Sequence, residues 1–159
     1  PQILPNPYQR HAKAKELKEY LPEEVFNEYF KFAFVRNPWD WQVSLYKYPM
    51  KKKNHKQRKL IQDLGSFENY LKWRLQNEVR LQKDFLYDGP DKLVDFIGKI
   101  EHLQKDFDII CEAIGIEKIK LPHLNKSNDK SYREFYNDKT KDLLYQAYKE
   151  DIELFEYEF

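Results

Sequence analysis

A four-residue apolar run, FAFV at residues 32–35, restricts the fold of this sequence more than any other feature, because it stops abruptly at the polar residues 36–38. The run has the length of a buried strand. Pro38 can open a helix directly after it, which we expect Pro49 to end. A second strand is expected at 93–98, followed by a helix over 102–114. Strand, helix, strand, helix in this order is typical of a parallel α/β sheet with crossover helices.

Other segments have clear local signals. Helices are predicted from composition and capping residues, and loops from runs of polar residues. The predicted helices cover 11–21, 22–30, 66–77 and 138–155, and the predicted loops cover 51–59 and 120–131. Two strands are too few for a stable open sheet, so we expect further strands to be missing from this sequence or not recognised.

The composition indicates one folded domain over residues 1–159 and excludes several protein classes. Aromatic residues make up 16% of the sequence, far more than in disordered chains. The formal net charge of +1 argues against attraction of the whole surface to nucleic acid or to an acidic membrane. No apolar stretch approaches the length of a membrane span. The single cysteine, Cys111, excludes an internal disulfide and is expected to be buried.

The segment from Arg36 to Ser44 has the chemistry of a phosphate site. Ligands of open α/β sheets bind beyond the carboxyl ends of the strands, where Arg36 is expected. A helix N-terminus attracts anions, an Arg can hold a phosphate through two parallel hydrogen bonds, and Ser44 adds a hydroxyl. The alternative is that Arg36 simply pairs with Asp40 at the start of the helix.

The same residues resemble a known family. Arg36-Asn37-Pro38 followed by Ser44 resembles the 3′-phosphate-binding motif of sulfotransferases that use 3′-phosphoadenosine 5′-phosphosulfate (PAPS). The wider segment FKFAFVRNPWDWQVSLY resembles the carbohydrate branch called sulfotransferase family 2. Three further blocks, at 94–108, 121–138 and 151–159, resemble that family in the same order. The resemblance implies an α/β, P-loop-NTPase-like sulfotransferase fold, with a parallel sheet flanked by helices.

The resemblance also implies roles for individual residues. Arg36 and Ser44 would bind the 3′-phosphate of PAPS. His11 matches a family histidine near the acceptor hydroxyl, and an imidazole with a pKa near 6.5 can accept a hydroxyl proton. A structural or merely exposed histidine is the alternative for His11.

A loop near the C-terminus resembles the segment that closes over the nucleotide. Lys126, Ser127 or Arg133 would contact phosphate, and Tyr132 would pack near the adenine. No choice among them follows from the sequence, and ordinary exposed charges are the alternative for the cations. The reaction needs PAPS as co-substrate, releases 3′-phosphoadenosine 5′-phosphate (PAP) and needs no metal.

One family feature has no counterpart here. The loop that holds the 5′-phosphosulfate, with a preceding strand that would be central in the sheet, matches no segment of this sequence. We expect a truncated or incompletely represented enzyme that transfers a sulfuryl group from PAPS to a hydroxyl, with a carbohydrate as the favoured acceptor. The alternative is a non-catalytic PAP- or PAPS-binding remnant of the same fold.

The remaining expectations concern partners and location. Six of the nine residues 51–59 are Lys or Arg, which fits a solvated loop or, less well, a surface that steers an acidic polysaccharide. A nucleic-acid-binding module is disfavoured by the net charge. A bacterial cytoplasmic location is favoured, with the Golgi lumen as the alternative.

Overall fold

A computed structural model describes residues 11–122 and 131–159. These residues form two compact units. The first holds the described residues up to Val35 together with Leu81–Pro122. The second holds Arg36–Arg80 together with the described residues from Ser131 onward.

In chain order, the described elements are α1 (Ala14–Tyr20), α2 (Glu23–Glu28), β1 (Phe32–Val35), α3 (Pro38–Lys51), α4 (Arg58–Leu64), α5 (Phe67–Asn77), α6 (Lys83–Leu86), β2 (Tyr87–Asp88), β3 (Asp91–Lys92), β4 (Phe96–Lys99), a 3-10 turn (Ile100–His102), α7 (Leu103–Ile114), a second 3-10 turn (Tyr132–Phe135) and α8 (Asp138–Leu154). The chain is thus a helix-rich α/β protein with a small parallel sheet, as the sequence predicted in outline.

The parallel sheet of the first unit consists of β1 and β4, with Phe32 opposite Phe96 and Val35 opposite Lys99. Asp95 fixes the start of this pairing. Its carboxylate accepts a hydrogen bond of 2.6 Å from the backbone N–H of Lys31 and lies 3.0 Å from the Lys31 ammonium. Burial alone would raise the pKa of Asp95, but the two Lys31 groups outweigh it and hold the pKa below its usual range.

A glycine in β4 permits close packing around this sheet. A Cβ atom on Gly98 would lie 2.6 Å from the Phe34 ring and 3.1 Å from the Cβ of Asp106. Asp106 in turn accepts a 2.6 Å hydrogen bond from the backbone N–H of Lys99. Glycine at position 98 therefore lets β1, β4 and the first turn of α7 approach one another. Cys111 of α7 is fully buried, as expected.

The second unit is built from α3, α5 and α8. Its centre contains four side chains that are almost completely buried: Tyr70, Leu71, Leu144 and Tyr148. Gln42 of α3 is also fully buried and donates a 3.1 Å hydrogen bond to the Tyr148 hydroxyl. Tyr46 of α3 packs edge to face on Phe67 of α5 and in a tilted arrangement on Tyr70 of the same helix.

Several predicted boundaries are wrong. Pro49 does not end α3, which continues to Lys51, because a proline in the last turn removes only one helical hydrogen bond and its ring is buried. The predicted loop 51–59 already contains the start of α4. The second strand is Phe96–Lys99, displaced from the predicted 93–98, because Leu93 and Val94 are buried outside the sheet.

No helix in the described residues is long and apolar enough to cross a membrane.

Candidate functional site

The start of α3 is held by the side chain of Asn37, which follows directly after Arg36. Its amide oxygen accepts hydrogen bonds from the backbone N–H groups of Trp39 at 3.0 Å and Asp40 at 3.4 Å. Its amide nitrogen donates a 2.8 Å hydrogen bond to the backbone carbonyl of Glu158. Asn37 is buried, so these hydrogen bonds fix both the direction of α3 and the position of the preceding residue, Arg36.

Arg36 forms an ion pair with Asp40. The guanidinium Nε lies 2.7 Å from a carboxylate oxygen, and both side chains are 31% exposed. The alternative that the sequence left open for Arg36 is therefore present in the structure. An ion pair this open to solvent contributes at most about 1 kcal/mol, so it orients the guanidinium without committing it strongly to Asp40.

Ser44 lies on the same side of α3. It follows Asp40 by four residues, and residues four apart in a helix share one face. Ser44 is half-buried, and its hydroxyl has no hydrogen-bond partner within residues 11–122 and 131–159. Asp40 and Ser44 therefore share one face of α3, and Arg36, which precedes the helix, is held at the start of this row by its ion pair with Asp40.

An aromatic cluster, made of Trp39, Tyr132, Tyr136 and Phe159, covers the start of α3. The ring of Phe159 lies at its centre, with ring centroids 5.5 Å from Trp39, 5.8 Å from Tyr132 and 5.6 Å from Tyr136. All three contacts are edge to face, the geometry favoured by ring quadrupoles. The cluster brings the 3-10 turn Tyr132–Phe135 against the first turn of α3.

Two cations pack on this cluster. The guanidinium carbon of Arg133 lies 4.7 Å from the ring centre of Tyr132 and 5.7 Å from that of Phe159. The ammonium of Lys141 lies 4.6 Å from the Phe159 ring centre. Together with Arg36 they place three cations near this end of α3, beside the carboxylate of Asp40. Cations gathered in this way suit an anionic ligand.

Tyr136 connects the cluster to the helix. Its hydroxyl donates a 2.9 Å hydrogen bond to the backbone carbonyl of Trp39. Burial raises the pKa of Tyr136, and the negative charge of Asp40 raises it further, so the phenol stays protonated and keeps this hydrogen bond. The Trp39 indole N–H donates to the backbone carbonyl of Lys141 at 3.2 Å, which ties α8 to the same end of α3.

The structure brings four of the predicted site residues into the second unit. Arg36 lies just before α3 and Ser44 lies on it, while Tyr132 is part of the aromatic cluster and Arg133 packs on it. His11 is exposed and belongs to the first unit, three residues before α1. Lys126 and Ser127 lie outside the described residues. Where the structure describes the chain, no group of three or more His, Cys, Asp or Glu side chains is placed to hold a metal ion.

Two important residues were missed in the sequence. Asn37 is the helix cap, and an Asn directly before a proline that opens a helix is a recognisable signal for this role. Phe159 is the centre of the aromatic cluster, and no local pattern could reveal that, because its partners are distant in the sequence.

Comparison with known proteins agrees with the motif at the start of α3. A family model described as the sulfotransferase family matches residues 5–158. A protein of Archaeoglobus fulgidus described as an uncharacterized protein is 30% identical, over 74% of this chain and 93% of its own length. No solved structure gives a significant match.

Proposed function

Because this chain belongs to the sulfotransferase family, whose members transfer sulfuryl groups, we propose that it transfers the group from PAPS to a hydroxyl, with a carbohydrate as acceptor. The observation that supports the proposal most is the arrangement of Arg36, directly before α3, and Ser44, on α3, within the family match. An arginine and a hydroxyl at the start of a helix that follows a strand are suited to a terminal phosphate.

The 3′-phosphate of PAPS would be bound by Arg36 and Ser44. A phosphate brings two negative charges and several acceptor oxygens, whereas Asp40 brings one charge in a half-exposed ion pair. A charge-assisted hydrogen bond contributes about 1.5–3 kcal/mol, more than the ion pair with Asp40 is expected to contribute. The phosphate can therefore compete for the guanidinium while Asp40 keeps it oriented.

Tyr132 and Arg133 would form the other wall of the nucleotide site. Their contacts with Phe159 place them beside the start of α3, in the same unit as Arg36. In this proposal Arg133 adds positive charge for a phosphate group, and Tyr132 packs near the adenine. Lys126 and Ser127 precede them in the chain and are proposed as further phosphate contacts.

In the transfer step, the acceptor oxygen attacks the sulfur of PAPS and the bond from sulfur to the phosphate oxygen breaks. The sulfuryl group moves to the acceptor, and PAP leaves with the bonding electron pair. The acceptor proton must leave the attacking oxygen, and His11 is proposed to accept it as general base. No residue described here is proposed to bind a metal for this step.

The proposal extends to the fold and to the cellular location. We propose that β1 and β4 belong to a P-loop-type parallel sheet whose first strand and 5′-phosphosulfate loop are not among these 159 residues. The single cysteine and the Lys-rich composition support a bacterial cytoplasmic location, with the Golgi lumen as the alternative.

The test is transfer of labelled sulfate from PAPS by the full-length protein to a panel of neutral and acidic oligosaccharides. The proposal predicts transfer that Arg36→Ala reduces at least about tenfold, through the lost charge-assisted contact. His11→Ala should lower kcat with little change in the affinity for PAP. Selective PAP binding without transfer to any acceptor would instead establish the alternative, a nucleotide-binding remnant.

A further inference from the structure

The chain leaves α8 through a sharp turn and continues as residues 155–159, which we call the return segment. The backbone N–H of Tyr157 donates to the carbonyl of Ile152 at 2.9 Å, and that of Glu156 donates to the carbonyl of Glu153 at 3.4 Å. These two bonds form a Schellman motif, and Glu156 has the positive φ, 52°, that the motif requires. Glycine is the usual residue at this position, because a Cβ atom disfavours the left-handed conformation.

The return segment is held against the start of α3. Phe155 and Tyr157 are buried, and the backbone carbonyl of Glu158 accepts the 2.8 Å hydrogen bond from the Asn37 side chain. A left-handed conformation at a residue other than glycine persists where the surrounding structure fixes the backbone. These buried contacts supply that constraint, so the residue that follows them, Phe159, is placed by a fixed backbone.

The two ends of the 3-10 turn before α8 are held by different partners. The Phe135 ring packs edge to face on aromatic residues of α3 and α5, with ring centroids 6.4 and 5.6 Å apart. At the other end of the turn, the Tyr132 ring and the Arg133 guanidinium both pack on Phe159. Loss of the Phe159 ring should therefore loosen Tyr132 and Arg133 while Phe135 stays in place.

We propose that Phe159 is a positioning residue of the nucleotide site, holding Tyr132 and Arg133 in the orientation that binds the adenine and a phosphate of PAP. This role rests on the function proposed above. Phe159 acts through these two residues and contacts no reacting atom. The return segment thus connects the end of α8 to the wall of the site that lies across from α3.

The role of Phe159 differs from that of the residues proposed for the 3′-phosphate. Arg36 is held by its ion pair with Asp40 and by the hydrogen bonds of Asn37, and these contacts do not involve the Phe159 ring. Loss of that ring should therefore weaken the binding of PAP and of 5′-AMP by the same factor. The preference for PAP over 5′-AMP should remain, because it depends on Arg36.

The first measurement is hydrogen exchange of the full-length protein without nucleotide. The backbone N–H of Glu134 donates to the carbonyl of Ser131 at 3.1 Å within the turn, so its exchange reports the order of that turn. In Phe159→Ala we expect this exchange to be about 3- to 10-fold faster, as for one or two lost aromatic contacts, with no change in the middle of α5.

Two variants serve as references for this measurement. Phe159→Tyr keeps the ring and should exchange like the wild type. Tyr145→Ala is the matched control, because Tyr145 is a half-buried aromatic residue of the same unit whose hydroxyl bonds within α8. Circular dichroism verifies that all variants are folded. Phe159→Leu, which keeps the bulk and loses the ring, replaces Phe159→Ala should the alanine variant fail to fold.

The second measurement is calorimetric titration of the same variants with PAP and with 5′-AMP. The proposal predicts that Phe159→Ala weakens both nucleotides about 3- to 10-fold, while their ratio of affinities stays within about twofold of the wild type. Phe159→Tyr and Tyr145→Ala should each change either affinity by less than about twofold.

Unchanged exchange at Glu134 in Phe159→Ala would overturn the proposal, and so would unchanged affinities or an equal effect of Tyr145→Ala. A loss confined to PAP would also overturn it, since Phe159 would then act on the 3′-phosphate site. Equal binding of PAP and 5′-AMP by the wild type would refute the proposed 3′-phosphate site alone, because the loss of 5′-AMP affinity still tests Phe159. A wild type that binds neither nucleotide would refute the nucleotide site and this role of Phe159 together.

Discussion

Removal of the Asn37 side chain should destabilise the second unit and displace Arg36. Asn37 makes two kinds of contact that an alanine cannot replace. It accepts the backbone N–H bonds of Trp39 and Asp40 at the start of α3, and it donates to the carbonyl of Glu158. The side chain is buried, so water cannot substitute fully for either contact.

The magnitude follows from the two contacts. Loss of an N-cap costs about 1 kcal/mol, and loss of a hydrogen bond from a buried amide costs about another 1 kcal/mol. Asn37→Ala should therefore lower the free energy of unfolding by about 2 kcal/mol. Asn37→Ser keeps an oxygen that can cap the helix and loses only the bond to Glu158, so it should cost about 1 kcal/mol.

Urea unfolding followed by tryptophan fluorescence measures this effect in the correct unit, because Trp39, Trp41 and Trp73 all lie in it. With a slope of about 2 kcal/mol per molar urea, Asn37→Ala should shift the midpoint by about 1 M. Asn54→Ala is the matched control, since Asn54 is exposed in the same unit and its side chain has no hydrogen-bond partner among the described residues. A shift no larger than that of the control, or equal shifts for Asn37→Ala and Asn37→Ser, would refute this account of the helix start.

Three further outcomes are expected. Gly98→Ala should destabilise the first unit by about 1–3 kcal/mol, because the added Cβ would overlap the Phe34 ring. Phe34→Leu in the same chain should restore part of this loss, and urea unfolding followed by circular dichroism measures both variants. The pKa of Asp95 is lowered in the folded state, so its ionised carboxylate stabilises the first unit above about pH 4. This stabilisation should disappear as the pH falls through the pKa of the folded state. Hydrogen exchange at the β1–β4 amides should show that loss in the wild type but not in Asp95→Asn. Tyr70 has a buried hydroxyl without a partner among the described residues, and burial raises its pKa to about 12. Tyr70→Phe should therefore not destabilise the protein. The wild type should lose stability between about pH 10 and 12, and unfolding at alkaline pH should show that this loss is absent in Tyr70→Phe.

The sequence predicted the elements whose signals are local. The strand at Phe32–Val35 has the predicted bounds, because an apolar run that ends at polar residues and a proline leaves little freedom in its length. The start of α3 was predicted for the same reason. The helix predicted over 102–114 also ends at the predicted residue, where Gly115 follows in the left-handed conformation.

The elements that were missed depend on tertiary contacts or are very short. The two-residue strands β2 and β3 pair across Gly89 and Pro90, and an Asp-Gly pair is a turn signal that the sequence analysis did not use. The helix α4 begins inside the segment 51–59, whose charges suggested a loop, and burial of Ile61 beyond that segment stabilises it. Charge alone could not predict that contact.

Some residues of the candidate site were also predictable from local signals, while the positions of others depend on tertiary contacts. Arg36 directly precedes α3 and Ser44 lies on that helix, so both positions follow from local signals in the sequence. The position of Tyr132 and Arg133 beside them depends on Phe159, which is far from Arg36 in the sequence. The sequence also left open whether Arg36 pairs with Asp40, and only the structure shows that it does.

The central claim is that Arg36 and Ser44 form a site for the 3′-phosphate of the nucleotide. Calorimetric titration of the full-length protein with PAP and, in parallel, with 5′-AMP tests it most directly, because the two ligands differ only in that phosphate. The account predicts that PAP binds roughly 10- to 150-fold more tightly, as expected for one charge-assisted contact, and that Arg36→Ala removes the preference. Equal affinity for the two nucleotides, or an undiminished preference in Arg36→Ala, would contradict it.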